Sequence, residues 1–240
     1  MLRAVWVVGL TLMLGACAFG NTTDYQNQTP VFAATTGNAV AVAAHDQRPY
    51  VLSGKNSATY TGVTRAAIGV PYGVHTSSGR PLADDFSTAI ANGLSAKGIQ
   101  VTVVTVPYTE TREQVIKTLL NQSKPRSLLV TIEDWESDQY IDASLTFALK
   151  ADVLDSSGAV LASNTVTSRR GMSGNFFAIQ PHTGVSAQAS LIAQQVLQQL
   201  LNDPKNRSGT AVALSFFSSR RAGRTPGTAR RPPGATRYGT

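Results

Sequence analysis

Two glycine-containing stretches come close to known catalytic motifs, but neither has the spacing that the chemistry requires. VLSGKNS (51–57) contains a Gly-Lys pair, and a phosphate-binding loop also needs an earlier glycine, where this chain has Pro49. It further needs a hydroxyl residue after the lysine, where this chain has Asn56. GLSAKG (93–98) has Lys97 where a G-x-S-x-G nucleophile elbow needs glycine. The sequence therefore predicts neither a phosphate-binding loop nor a serine nucleophile.

The histidines and the densest acidic cluster give no metal-site pattern either. His45, His75 and His182 are far apart in sequence, and a metal or acid–base site would need them to converge in space. EDWESD (133–138) could bind Ca²⁺ or serve in acid–base catalysis, but it lacks the spacing of a calcium loop. We interpret it as a solvated connection with Trp135 packed on the edge of the sheet. The sequence thus predicts no metal, no cofactor and no catalytic residue.

HDQRPY (45–50) contains the best candidates for contact with a ligand or partner. Arg48 could bind a carboxylate or phosphate through two hydrogen bonds, with Tyr50 stacked beside it. The alternative is an internal salt bridge from Arg48, for which Asp84 or Asp85 is the expected partner. Arg48 and Tyr50 are therefore the candidate contact residues.

The single cysteine, Cys17, carries the strongest chemical signal in the chain. Arg3 and the apolar run from Val5 to Leu14 have the charge and length of a secretory signal peptide. LGAC (14–17) resembles the bacterial lipobox, which implies that the Cys17 thiol receives a diacylglycerol and that cleavage makes Cys17 the first residue. Two or three acyl chains hold a protein stably on a membrane. The alternative is an ordinary signal peptide with a chance cysteine near its cleavage site.

The resemblance to a lipobox also implies a location. In Gram-negative lipoproteins an Asp after the acylated cysteine favours retention in the inner membrane, and this chain has Ala18 there. We therefore expect the outer membrane, with the protein facing the periplasm. With Cys17 acylated, no thiol would remain for a disulfide or for catalysis.

The net charge of +7 does not indicate nucleic-acid binding, because it comes from one end of the chain. Eight of the 21 basic residues follow Asp203 and no acidic residue does, so residues 1–203 carry a net charge of −1. A nearly neutral body in an exported protein argues against nucleic acid as a partner.

Composition divides the chain into four parts. Residues 1–16 are the predicted signal peptide, and residues 17–37 read as a polar, flexible tether that would reach about 25 Å. Residues 38–203 are long enough for one domain with a hydrophobic core. Residues 204–240 are predicted to be a disordered Arg/Pro/Gly-rich tail, with a cationic arm for anionic glycan or lipopolysaccharide as the alternative.

Periodicity predicts an α+β fold for the body, with a mixed, largely antiparallel sheet packed against about three helices. A four-residue repeat of large apolar side chains marks the buried face of a helix that starts at Pro81 and ends near Gly98. Alternation over residues 145–153, a DSSG turn at 155–158 and a second apolar segment predict a long hairpin. Two further helices are expected, over residues 110–121 and from Ser186 to Pro204.

Taken with the lipobox, these segments resemble the YajG-like family of bacterial lipoproteins. The resemblance covers roughly residues 39–203 and rests on the strand before AHDQRP, on PLADDFSTAIANGLSAKG, on LKADVLDSSGAVLASNTVT and on the terminal helix. It implies an envelope lipoprotein, and it supplies no functional residue except Cys17.

The sequence therefore predicts a lipid-anchored, non-catalytic binding or assembly module. Its partner would be the membrane through the acyl chains, together with an envelope protein, its own copies or a glycan. The alternative is a periplasmic carrier of a small molecule or glycan, which would need an apolar pocket near Arg48 and Tyr50. An enzyme is a third possibility, for which the sequence offers no convergent set of nucleophile and base.

Overall fold

A computed structural model describes most of the predicted body and a part of the segment before it. Cys17, the signal peptide and the 204–240 tail lie outside the described residues, which are 21–33, 39–65, 69–140, 142–172 and 183–202. Within these ranges the chain forms a mixed α+β structure, which confirms the predicted fold class.

The described elements alternate along the chain. The strands are β1 (Asn21–Thr23), β2 (Val40–Asp46), β3 (Tyr60–Arg65), β4 (Pro71–Thr76), β5 (Val101–Val103), β6 (Arg126–Gln139), β7 (Ala143–Asp155) and β8 (Val160–Met172). The helices are α1 (Pro49–Leu52), α2 (Leu82–Ser95), α3 (Arg112–Leu120) and α4 (Thr183–Asn202). Among the described residues, no helix is both long enough and apolar enough to cross a bilayer.

The sheet forks along one edge of β6. One edge of this strand pairs antiparallel with β7 from end to end, and β7 pairs in turn with β8. The other edge pairs in parallel with β2 over residues 126–132 and with β3 over residues 137–139. Strand β5 extends the β2 branch, and β4 and β1 extend the β3 branch. The predicted hairpin is β7 and β8, which is confirmed.

Helices cover both faces of the sheet. Helices α2 and α4 pack over the larger core, to which alternate side chains of β2, β6 and β7 contribute. Helix α3 packs on the opposite face through Val115 and Leu119, against Ala41 and Ala43 of β2. Strand β2 is therefore buried on both faces, which explains its uninterrupted apolar sequence.

Helix α2 forms where the four-residue repeat predicted it. Its apolar repeat, Leu82, Phe86, Ile90 and Leu94, is fully buried. Asp84 and Asp85 occupy the first turn, where the positive end of the helix dipole favours carboxylates. The last turn is closed by a hydrogen bond from the Ile99 amide to the Leu94 carbonyl.

The segment predicted to be a tether belongs to the folded body over residues 21–33. Strand β1 pairs in parallel with β4, and the side chains of Tyr25 and Phe32 are each 1% exposed. The Asn202 side chain at the end of α4 accepts from the Ala33 amide and donates to the Val31 carbonyl. The prediction was wrong here because two isolated aromatic side chains in a polar segment give no periodic signal.

The acidic cluster at 133–138 is part of strand β6 and not a connection between elements. β6 continues to Gln139, and a register shift between Ile132 and Asp134 places Glu133 outside the regular pairing. Trp135 is fully buried against Tyr25, Phe86 and Phe147. The segment resembled a connection in sequence because Asp134, Glu136 and Asp138 occupy the face opposite to Trp135 and give it a high density of charge.

Candidate functional site

A buried ion pair lies at the point where the sheet forks. Asp46 is the last residue of β2, and its Oδ2 atom lies 2.6 Å from Nη2 of Arg48. The Nε atom of Arg48 donates to Oδ1 of the same carboxylate at 2.8 Å, so the two groups are joined by a double hydrogen bond. Charges out of water need such pairing, because an uncompensated buried charge is very costly.

The other donors of Arg48 reach across the fork to β3. Its guanidinium donates to the main-chain carbonyls of Ala58 and Tyr60, at the beginning of that strand. The residue thereby fixes the end of one branch of the sheet to the beginning of the other. In this structure the internal salt bridge is present, but its partner is Asp46, whereas Asp85 pairs with Arg80. The Arg48 guanidinium is fully buried in this structure. Contact between Arg48 and a ligand stays a prediction.

Tyr50 and Tyr60 stand beside this ion pair with their rings edge to face. The ring centroids are 5.8 Å apart, and the Tyr50 hydroxyl donates to the Trp135 carbonyl at 2.9 Å. The Tyr60 hydroxyl donates to Oε1 of Glu136 at 2.6 Å. Burial raises the pKa of both phenols, so both stay protonated and act as donors. Tyr50 as a ligand contact also stays a prediction.

Two half-buried carboxylates of β6 complete this cluster. Burial raises the pKa of Asp134, and the negative charge of Glu136 raises it further. Oδ1 of Asp134 also lies 3.4 Å from the Tyr50 hydroxyl oxygen, whose single proton is directed to the nearer Trp135 carbonyl. Within the cluster of Tyr50, Tyr60, Asp134 and Glu136, the two carboxylates are therefore the groups that can accept hydrogen bonds from a bound polar group.

The same face of the sheet continues as an open polar surface on β7 and β8. Helix α3 reaches this face at Asp152, whose carboxylate lies 2.8 Å from Nη2 of Arg112. Away from that contact, the side chains of β8 on this face are exposed and nearly all can form hydrogen bonds. We call this the open face, and its exposed members on β8 are Ser163, Thr165, Thr167 and Arg169.

Two of the histidines lie within the described residues and take part in local hydrogen bonds. Nε2 of His45 lies 2.9 Å from the side-chain nitrogen Nε2 of Gln47. Burial lowers the pKa of this histidine. Nδ1 of His75 lies 3.0 Å from the Thr59 hydroxyl, which in turn lies 2.8 Å from that of Ser57. His182 lies outside the described residues. Among those that are described, no three His, Cys, Asp or Glu side chains form a metal-binding group.

Sequence reasoning identified Arg48 and Tyr50 but missed the groups that surround them. Asp46 stands two residues before Arg48, at the end of a buried strand, and this spacing was the available signal. Tyr60 and Glu136 carried no signal, because their contact depends on the pairing of β3 with β6, which is set by distant parts of the chain.

Comparison with known proteins gives structural likenesses only. No family model matches the chain, and no curated protein matches it. A solved protein of the family model DUF330 from Xanthomonas campestris is 14% identical, with a TM-score of 0.47, over 79% of this chain and 99% of that one. A PelC dodecamer from Paraburkholderia phytofirmans is 17% identical, with a TM-score of 0.37, over 73% and 96%.

Lipoprotein GNA1162 from Neisseria meningitidis is also similar in structure. It is 14% identical, with a TM-score of 0.26, over 67% of this chain and 98% of that one.

Proposed function

We propose that this chain is a lipid-anchored envelope protein, held at the periplasmic face of the outer membrane by acyl chains on Cys17, and that it works by binding. The lipobox-like LGAC at 14–17 and the resemblance to the YajG-like lipoproteins support the anchor. Ala18 after the cysteine supports the outer membrane. We assign no catalytic residue to it.

The observation that carries the binding role is the open face of β8. Four successive side chains on this face, from Ser163 to Arg169, are exposed and polar, with Thr146 and Lys150 of β7 half-buried beside them. One face of an antiparallel sheet can be exposed to water without any partner. Here that face also holds hydroxyl groups and a guanidinium group in fixed positions, where they can form hydrogen bonds to a partner.

The outer edge of β8 adds a second means of contact. Within the part of the chain that the structure describes, β8 pairs with β7 alone, so its other edge presents main-chain donors and acceptors. An edge strand of 13 residues is a template for a strand of another chain. We therefore propose an envelope protein as the partner, bound along β8.

In-cell photo-crosslinking tests this role. A photoreactive residue replaces Thr165 on the open face, and a matched variant carries it at Ala96, which is exposed just after α2. We expect Thr165 to capture a distinct envelope protein that Ala96 does not, and Cys17→Ala to lose this product because the protein lacks its acyl chains.

Two other outcomes would count against the proposed partner. A product with the mass of two copies of this chain would show self-association through β8 instead. Identical products at both positions, or none, would overturn binding of a protein at the open face and would favour a small polar ligand.

A further inference from the structure

One end of the sheet receives the chain directly from the predicted lipid anchor. The strand pairings place the start of β1, β4 and β7 and the end of β3, β6 and β8 at this same end. We call it the anchor end, and the strand residues at its edge are Arg65, Pro71, Gln139, Ala143 and Met172. Asn21, the first residue of β1, lies level with Val74, three residues inside the start of β4.

The distance from Cys17 to this end is short. Asn21 is the fourth residue after Cys17, and it already pairs with Val74 of β4. Four residues reach at most about 14 Å even when fully extended, at about 3.3–3.6 Å per residue. An acylated Cys17 in the bilayer therefore keeps Asn21 within about 14 Å of the lipid surface, and the chain enters β1 from the side of the anchor end.

Exposed apolar and aromatic side chains gather at the same end. Val70 and Tyr72, at the start of β4, are 41% and 55% exposed, and Tyr140, just after β6, is 36% exposed. The segments that carry them are adjacent, since a Cβ atom on Gly69 would lie 4.0 Å from the Tyr140 hydroxyl. Tyrosine suits a membrane interface because its ring is apolar while its hydroxyl stays hydrated.

Among the described residues at this end, the charges are balanced and form no basic patch. Arg65 forms an ion pair with Asp138, and the exposed side chains of Asp142 and Arg169 carry opposite charges. Attraction of several cations to anionic lipid is therefore not what holds this end to a membrane. The contact would depend on burying apolar area, which is worth about 25 cal/mol per Å².

The geometry points to a membrane-contacting surface formed by Val70, Tyr72 and Tyr140. It rests on the proposed acylation of Cys17. The acyl chains supply the affinity, and these side chains enter the headgroup region and set the orientation of the body. The β7–β8 hairpin then points away from the bilayer, with Val160 about 40 Å from Met172 at about 3.3 Å per residue.

The test uses a fluorescent label and quenching by lipids. Because Cys17 is the single cysteine and its thiol would be acylated, Tyr72→Cys gives the mature full chain one free thiol. The variant is labelled with an environment-sensitive fluorophore and reconstituted in vesicles of phosphatidylethanolamine and phosphatidylglycerol with shallow nitroxide lipids. Val160→Cys is the matched control, because Val160 is 51% exposed at the opposite end. Val70→Cys is a second test position.

We expect quenching at residues 72 and 70 to be at least twice that at residue 160. Equal quenching at all three positions, in acylated protein that floats with the vesicles, would overturn the membrane contact and leave the lipid anchor intact. Protein that carries no acyl group by mass spectrometry and does not float would overturn the anchor and this contact with it. A photoreactive residue at position 72 that cross-links to another protein in cells, together with no lipid quenching in vesicles, would overturn the membrane contact. It would show that a protein occupies this end.

Discussion

Asp46 and Arg48 form an ion pair whose side chains are 2% and 0% exposed, at the point where two branches of the sheet leave β6. Arg48 also donates to two carbonyls before and at the start of β3. The pair therefore connects the β2 branch to the β3 branch, and its loss should weaken the sheet as a whole.

Asp46→Ala is expected to lower the free energy of unfolding by about 3–5 kcal/mol, because it leaves the Arg48 guanidinium buried without its carboxylate. Equilibrium unfolding in urea measures the change. The double variant Asp46→Leu/Arg48→Met should lose less than Asp46→Ala, because it removes both buried charges together.

The control is the ion pair of Arg65 and Asp138, whose side chains are 33% and 43% exposed. Arg65→Ala should cost only about 0–1 kcal/mol, since water screens this pair. Equal losses for Asp46→Ala and Arg65→Ala would contradict the role of the buried pair at the fork.

Gly93→Ala is expected to release residues 25–33 from the body. A methyl group at Gly93 would fall on the Pro30 carbonyl and the Phe32 ring, which pack directly on α2. Alanine in place of glycine inside a helix normally stabilises it by about 0.5–1 kcal/mol, so a net loss would be diagnostic. Hydrogen exchange measures the release as faster exchange over residues 25–33.

Ser95→Ala, at an exposed position of the same helix, is the matched control and should leave that exchange unchanged. If Gly93→Ala gains stability and keeps the protection of residues 25–33, the packing of this segment on α2 is wrong.

His45 should make the protein less stable in mild acid. Burial lowers the pKa of His45 below its ordinary value of 6.5, so below that pH the unfolded chain binds a proton that the folded chain does not. The free energy of unfolding should therefore fall as the pH drops from 6.5 through the folded-state pKa, and should not depend on this group above 6.5.

The measurement compares the native chain with His45→Gln in urea at pH 5.5 and 7.5. The variant should lose less stability between the two pH values than the native chain. An equal loss in both proteins would show that proton binding by His45 does not contribute.

Tyr25→Phe is expected to lower the free energy of unfolding by about 1–3 kcal/mol, because the buried Trp135 Nε1–H group loses its acceptor. In the native chain this donor lies 3.2 Å from the Tyr25 hydroxyl. Tyr72→Phe, at an exposed tyrosine, should change stability by less than about 0.5 kcal/mol. Similar losses in both variants would contradict the importance of this hydrogen bond.

Local periodicity predicted the parts of the fold whose burial repeats along the chain. The Leu82-to-Leu94 repeat of α2 and the alternation of β7 both record one buried face, and both are confirmed. The 21–33 segment could not be recognised, because Tyr25 and Phe32 are single anchors within polar sequence. Charged and uncharged residues also alternate over 134–138, which is typical of a strand. The high density of carboxylates led instead to the interpretation of 133–138 as a solvated connection.

The candidate site was predictable only as far as neighbouring residues define it. Arg48 and Tyr50 stand out in HDQRPY, yet their partners Tyr60 and Trp135 come from segments that are brought there by the fork in the sheet. A fork requires one strand edge to divide between two partners, and nothing in the sequence of β6 records where that division falls.

The bonds from Asn202 to Val31 and Ala33 join segments about 170 residues apart. Residues 21–33 therefore cannot form all of their native contacts until α4 has been synthesised. A nascent chain can form the β7–β8 hairpin early, because its contacts are local, but the contact between the N-terminal segment and α4 must close last. A chain shortened before α4 would therefore lack these two bonds to its own beginning, and residues 31–33 would be cut more readily by proteases than in the full chain.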